Sequence, residues 1–455
     1  MFPAVALGLA LAVEEPALRL SLSEAIATAQ RGNLAVLAAR DALSGAEFME
    51  ESARGAFLPQ VTPRYARGEN EAQVGIEIGQ RVPWTGATIQ LGASQFGHRG
   101  DATALPDASS LSLSVTQPLL RGVGPTAARF DLDNARRARQ ARQRSLVLTR
   151  QAVAVEVVAA YYAVVKQRLT EEVAEQSLRR SRELARASAA RMEVGLASRL
   201  DVLRAELQAA QAESAQVAAA AARAAGLERF RIVLGLEPGA AVEPAATALP
   251  ETPPAPTEAL AELIAVARER RLDLQEARDA VHDAERGLRV ARLDLLPQVD
   301  LTLRATRLGA GEGFGDSFRH IDSRAELQVS ATYPLQRRAA RASASLAGLG
   351  VAAAERNALD AQRRVEAEVR ERVRSLDTLQ RNIGLQQRSV DVAEQQQRLA
   401  LLRYERGLAS NFDVVEAESS LVAARTALVS LRSDLQVALV ELRRATGELD
   451  PGAEP

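Results

Sequence analysis

The chain has 455 residues, a formal net charge of -1 from 57 basic and 58 acidic residues, 3% aromatics and no cysteine. The charge balance supplies no field to draw in nucleic acid or an anionic membrane surface, and the lack of cysteine excludes disulfides, thiolate metal ligands, a cysteine nucleophile and a lipid-bearing cysteine. Charged residues at 25%, with long runs of Ala, Leu, Glu, Arg and Gln, favour extended helical packing over a thick globular core.

The chain opens on an apolar stretch, Ala4 to Val13, with a small-x-small Ala10-Leu11-Ala12 site and no Lys or Arg before it. Residues 1–12 read as a signal peptide with a truncated start. No later segment offers the roughly 18 uninterrupted apolar residues of a transmembrane helix, so a membrane crossing falls to β-strands.

From there the sequence is written twice. An offset of 238 residues separates Ala39-Arg40-Asp41-Ala42 from Ala277-Arg278-Asp279-Ala280, and Leu58-Pro59-Gln60-Val61 from Leu296-Pro297-Gln298-Val299. Farther along, Gly195-Leu196-Ala197-Ser198 with Asp201-Val202 returns 212 residues later as Gly407-Leu408-Ala409-Ser410 with Asp413-Val414. A repeat of this kind outranks any single motif as evidence of architecture. The copies occupy 13–237 and 258–447, joined by a Pro- and Ala-rich linker over 238–257 and followed by a tail over 448–455.

Within each copy, segments of period two precede long proline-free stretches of helical period. Leu111, Leu113 and Val115 alternate with Ser112, Ser114 and Thr116, and Ala325, Leu327 and Val329 alternate with Glu326, Gln328 and Ser330, which predicts strands with one apolar and one polar face. The same alternation fits a soluble half-buried sheet as well as a lipid-facing barrel. Val153, Val157, Ala160 and Val164, then Leu196, Leu200, Leu203, Leu207 and Ala210, keep a three-four rhythm, and Val369, Leu376, Ile383 and Val390 fall one heptad apart. A continuous helix from Thr126 to Val194 would run about 100 Å. Gly195 and Gly407 read as tips where such helices turn back, because glycine takes the left-handed conformation cheaply. The overall expectation from the pattern is a mainly α fold with a strand portion and an internal structural duplication.

This order of elements resembles the TolC-type outer-membrane efflux protein family. Its marks are the strand lead-ins Leu58-Pro59-Gln60 and Leu296-Pro297-Gln298, the strand exits Gln117-Pro118-Leu119 and Tyr333-Pro334-Leu335, and the two glycine tips. Pro59, Pro118, Pro297 and Pro334 thus mark the strand-helix transitions. The resemblance implies a homotrimer whose long coiled-coil-like helices form an α-helical barrel in the periplasm, continued by a shared β-barrel in the outer membrane of a Gram-negative bacterium. It implies outer-membrane lipid around the strands, and a periplasmic adaptor (membrane fusion) protein and an inner-membrane pump as partners. Adaptor contact would fall on Gly195, Leu196, Ser198, Gly407, Leu408 and Ser410.

The family's ring of acidic side chains at the periplasmic gate maps onto Asp413 and Glu416, and its hydrogen-bonded gate latch onto Asp201 and Tyr404. Ala409 stands where the archetypal member has an arginine gate partner, so the closed state would be held by fewer links, or by Arg403 or Arg406 instead. Gln80-Arg81-Val82-Pro83 followed by Trp84-Thr85-Gly86 resembles an extra strand exit and turn. An additional hairpin over 74–93 then gives six strands per subunit against the family's usual four; the competing view leaves it as a loop.

No catalytic constellation, cofactor fingerprint or metal spacing is visible. His98, His282 and His320 are scattered, and the glycine run from Gly309 to Gly315 lacks the Lys-Ser/Thr of a phosphate-binding loop. A periplasmic coiled-coil structural or adaptor protein without a channel is the rival reading, and the proline-bounded alternating segments argue against it, because a tether has no use for them.

Overall fold

The computed structural model describes residues 18–68, 71–98, 107–251, 259–311 and 321–450. The signal-peptide segment 1–12, residues 252–257 of the linker, most of the Gly309–Gly315 run, His320 and residues 451–455 of the tail lie outside them.

The element order makes the duplication visible. The first copy contains β1 (Leu18–Leu20), α1 (Leu22–Gly32), α2 (Leu34–Gly55), β2 (Gln60–Arg67), β3 (Glu71–Arg81), β4 (Thr88–His98), β5 (Asp107–Pro118), the short α3 (Pro125–Ala128), α4 (Phe130–Glu193) and α5 (Arg199–Leu234). After β6 (Val242–Pro244), the second copy runs α6 (Leu260–Arg270), α7 (Leu272–Leu293), β7 (Gln298–Gly311), β8 (Ile321–Thr332), α8 (Arg338–Glu405) and α9 (Asn411–Thr446). Corresponding helices match in length: 11 residues for α1 and α6, 22 for α2 and α7, 36 for α5 and α9.

The chain divides into two compact units, each drawing on both copies. One comprises residues 1–40, 145–272 and 363–455 and is helical apart from a parallel pairing of β1 with β6 inside the Pro- and Ala-rich segment. Its helices bury heptad seams: Leu376, Ile383 and Val390 of α8 pack with Leu421, Leu428, Leu435 and Leu442 of α9. Val153, Val157, Ala160 and Val164 of α4 are buried as their spacing predicts. This stretch makes α4 the one described helix long and apolar enough to cross a membrane, but it passes that test as a core helix, with 56% of its apolar window buried in the protein. The rhythm at Leu200, Leu203 and Leu207 has the other outcome. These side chains are 54%, 47% and 59% exposed, and α5 turns Val202, Ala205 and Ala212 inward instead.

The second unit, residues 41–144 and 273–362, carries the sheet. Its order is β2-β3-β4-β5-β7-β8, with every neighbouring pair antiparallel. The 74–93 hairpin is therefore part of this sheet, which among the described residues has six strands, four from the first copy and two from the second. The turn between β3 and β4 depends on Gly86, whose φ is +78° and where an added Cβ would lie 2.6 Å from the carbonyl oxygen of Gly122. Arg129 stacks over Trp84 at 4.8 Å on the same turn.

Candidate functional site

Two surfaces carry the functional reading. The first is the sheet. Its register sets Ile78, Leu91 and Leu113 in one cross-strand row and Val115, Leu303 and Leu327 in another, so one face is apolar across the sheet. That face is open: Val74, Leu113, Leu327 and Val329 are 56%, 43%, 68% and 64% exposed. A contiguous exposed apolar face of this kind marks a surface for contact with another protein or with a membrane.

The opposite face is a polar trough of about 490 Å³ lined by Arg64, Glu77, Gln90, Ser94, Ser110, Ser112, Ser114 and Arg304, among others. Its side chains pair across strands: the Ser94 and Ser110 hydroxyls are 2.7 Å apart, those of Thr116 and Thr302 3.2 Å, and Arg64 meets Glu77 at 2.8 Å. Strands β2 and β8 each have one edge without a partner strand among the described residues. The four prolines stand at the transitions: Pro59 and Pro297 directly precede β2 and β7, Pro118 ends β5, and Pro334 lies between β8 and α8.

The second surface is the pair of helix tips. Gly195 and Gly407 have φ of +76° and +73°. Around each, two hydrogen bonds close the end of the long helix. Leu196 N–H donates to Arg191 O at 2.8 Å and Gly195 N–H to Met192 O at 3.0 Å; Leu408 N–H donates to Arg403 O at 2.8 Å and Gly407 N–H to Tyr404 O at 3.0 Å. This is the glycine-terminated motif that satisfies the last carbonyls of a helix. Leu196 and Leu408 are left 77% and 67% exposed.

The return helices start on capping boxes. Asp201 Oδ2 accepts from the backbone N–H and hydroxyl of Ser198 (3.0 and 2.6 Å), and Asp413 Oδ2 accepts from those of Ser410 (both 2.8 Å). The serine hydroxyl bond, followed by the backbone one, holds each carboxyl below the ordinary range, with Arg204 and Arg403 adding to the effect. Glu416, one turn on, is exposed.

Asp201 and Tyr404 are therefore not joined as expected. The carboxylate of Asp201 is spent on its own helix end, and Tyr404 Oη lies 3.0 Å from Ser188 Oγ. The link between tips runs through a residue the sequence reading missed. Asn411, 1% exposed, donates from Nδ2 to the carbonyl oxygen of Asp201 at 2.7 Å and to Ser188 Oγ at 3.2 Å. Arg191 adds a second tie, with its guanidinium 4.2 Å from the Tyr404 ring and donating to the carbonyls of Tyr404 and Glu405 at 2.7 and 3.1 Å. Arg180 grips the buried Glu418 through two nitrogens at 2.7 to 3.0 Å, joining α4 to α9. An Asn at the head of a return helix and Glu418, about one and a half turns past Asp413 beside the apolar Ala417 and Leu421, were signals available in the sequence, since polar groups among apolar neighbours demand partners. The gate roles suggested for Arg403 and Arg406 find no link across the tips among the described residues.

Among the described residues no group of three or more His, Asp or Glu is placed to hold a metal ion. His282 is exposed on α7, 3.5 Å from Glu285.

Residues 263–448 match the family described as Outer membrane efflux protein. The chain is 27% identical over 299 residues to the outer membrane efflux protein BepC of Brucella suis biovar 1 (strain 1330), an alignment that covers 65% of this chain and 63% of BepC. In fold it is similar to the outer membrane protein VceC of Vibrio cholerae, with a TM-score of 0.70 and 19% identity over 94% of this chain and 96% of VceC. The Campylobacter jejuni CmeC outer membrane channel gives a TM-score of 0.72 and 14% identity over 95% of this chain and 86% of CmeC. The second copy of the chain thus matches the Outer membrane efflux protein family, and nearly the whole chain shares the fold of solved outer-membrane proteins.

Proposed function

We propose that the chain is one subunit of an outer-membrane conduit in a tripartite efflux or type I secretion system. It works as a homotrimer and passes substrates outward without covalent chemistry. The observation that carries this reading is the two-faced sheet: an exposed apolar face suited to lipid, a polar face suited to water, and two unpaired edges, β2 and β8, that a neighbouring copy can join. Three copies of a six-stranded sheet supply about eighteen strands. At about 4.8 Å between strands and a tilt of about 40°, the ring would be about 36 Å across between backbones.

The helical copies form the periplasmic part. The exposed Leu196 and Leu408, with Gly195, Ser198, Gly407 and Ser410 shaping the turns, offer the apolar tips to a periplasmic adaptor, which connects the conduit to an inner-membrane pump. Glu416 supplies the freer carboxylate of the acidic gate ring and Asp413 a carboxylate already engaged by Ser410. The gate's tie is the Ser188, Tyr404, Asn411 and Asp201-carbonyl chain. We extend the two-copy division to function, with 13–237 and 258–447 each contributing strands to the membrane ring and helices to the periplasmic wall.

Planar-bilayer recording on the detergent-purified protein tests the proposal. Cation-favouring single-channel currents, from protein that needs detergent to leave the membrane fraction, are expected. Protein that washes from membranes in carbonate and gives no current would favour the periplasmic tether instead.

A further inference from the structure

The helical unit contains a cavity of about 280 Å³ just behind the tips, between α4, α5, α8 and α9. Leu184, Leu401 and Val414 make its apolar wall. Ser181, 3% exposed, also lines it, and its buried hydroxyl has no hydrogen-bond partner. A buried hydroxyl without a partner is costly, and here it borders open space that a ligand's polar atom can fill. The cavity's charges are not equivalent. Arg180 is consumed by Glu418, and Arg191 by two carbonyls and the Tyr404 ring. The carboxylates of Glu183 and Glu405 line the same space, are solvent-exposed, and have no ion-pair partner among the described residues. The uncommitted charge at the cavity is therefore negative.

We propose that this cavity is a binding site for a small, flat amphipathic organic cation. The apolar body lies against Leu184, Leu401 and Val414, a polar ring atom meets the Ser181 hydroxyl, and the positive charge faces Glu183 and Glu405. The ligand acts as an effector that wedges the four helix ends in one arrangement, not as cargo in the lumen. Binding does not depend on the conduit reading, and the test needs no conduction.

The probe is proflavine, a planar cation at neutral pH, titrated into the full-length detergent-purified protein and followed by fluorescence anisotropy against a micelle-only blank. Saturable binding of one molecule per subunit is expected. The Glu183→Gln, Glu405→Gln double variant should weaken it about fivefold, and neutral acridine should bind more weakly than proflavine by a similar factor. Ala187→Phe, which adds bulk from an exposed α4 position lining the cavity, should abolish it. Circular dichroism melts verify that each variant is folded. No saturable binding to folded native protein, or native affinity in the Ala187→Phe variant, overturns the site. Loss in that variant with full affinity in the double Gln variant overturns the cationic class.

Discussion

Replacing Asn411 by alanine tests how the tips are held. Asn411 is 1% exposed and donates two hydrogen bonds, to the Asp201 carbonyl and to Ser188 Oγ, while its own Oδ1 is buried without a partner. Asn411→Ala removes both donors, at about 0.5–1.5 kcal/mol for each hydrogen bond lost, while the Asp201 carbonyl keeps its helical partner within α5. It also removes the orphaned Oδ1, which offsets part of that loss, and Ser188 keeps Tyr404. A net cost of about 2 kcal/mol to the joined tips follows, and if the tips separate on opening, the opening equilibrium moves by about 30-fold. Asp201→Asn touches only the helix start and retains an acceptor there, so a change below about 1 kcal/mol is expected. Open probability in planar bilayers, recorded for both variants and for native protein, reads this contrast. A raised open probability in Asp201→Asn with native behaviour in Asn411→Ala would refute the Asn411 tie and restore a direct carboxylate-to-Tyr404 latch.

Four more outcomes follow from the geometry. Arg180→Ala leaves Glu418 buried and alone, so the helical unit should lose about 3–5 kcal/mol, visible as a lower melting temperature, whereas an unchanged melt would mean the pair contributes nothing. Because the folded carboxyls of Asp201 and Asp413 lie below their unfolded values, their caps stabilise fully above the unfolded pKa of about 3.9 and are lost as pH falls through the folded values; hydrogen-exchange protection at 196–204 and 408–416, referred to the intrinsic rate at each pH, should fall on acidification in that window, and an equal fall in Asp201→Asn, Asp413→Asn protein would discount the carboxylates. Gly407→Ala forces a side chain into a φ of +73° and should cost the second tip about 1–2 kcal/mol, measurable as faster proteolysis at 403–411, with wild-type resistance as the contrary result. Electron microscopy of the assembled protein should resolve a ring of about eighteen strands, and a ring of twelve would exclude β3 and β4 from it.

Sequence alone reached far because this fold is governed by local rules. Period-two alternation fixed the strands and which side chains share a face, the proline-free heptads fixed the long helices, and the fixed offsets between Pro59 and Pro297 and between Gly195 and Gly407 revealed the doubling. The left-handed glycines at the tips were legible for the same reason, since a helix reversal at Gly195 asks for a φ that few other residues adopt.

What needed the tertiary structure depends on which side chains compete for the same partner. Asp201 looked free to meet Tyr404, but a capping partner three residues away wins over one on another helix, because the local contact costs little extra ordering. Leu200, Leu203 and Leu207 have the spacing of a buried seam, yet spacing does not say which of two apolar stripes on α5 faces inward, and the packing chose Val202 and Ala205. The membership of the 74–93 hairpin in the sheet rests on long-range pairing of β4 with β5 and β5 with β7, which no local pattern specifies. The sequence by itself determined the elements, their faces and their repetition; the tertiary structure decided the strand neighbours, the inward stripe of each helix and the partners of the buried polar groups, because those are settled by competition among distant side chains for the same buried space.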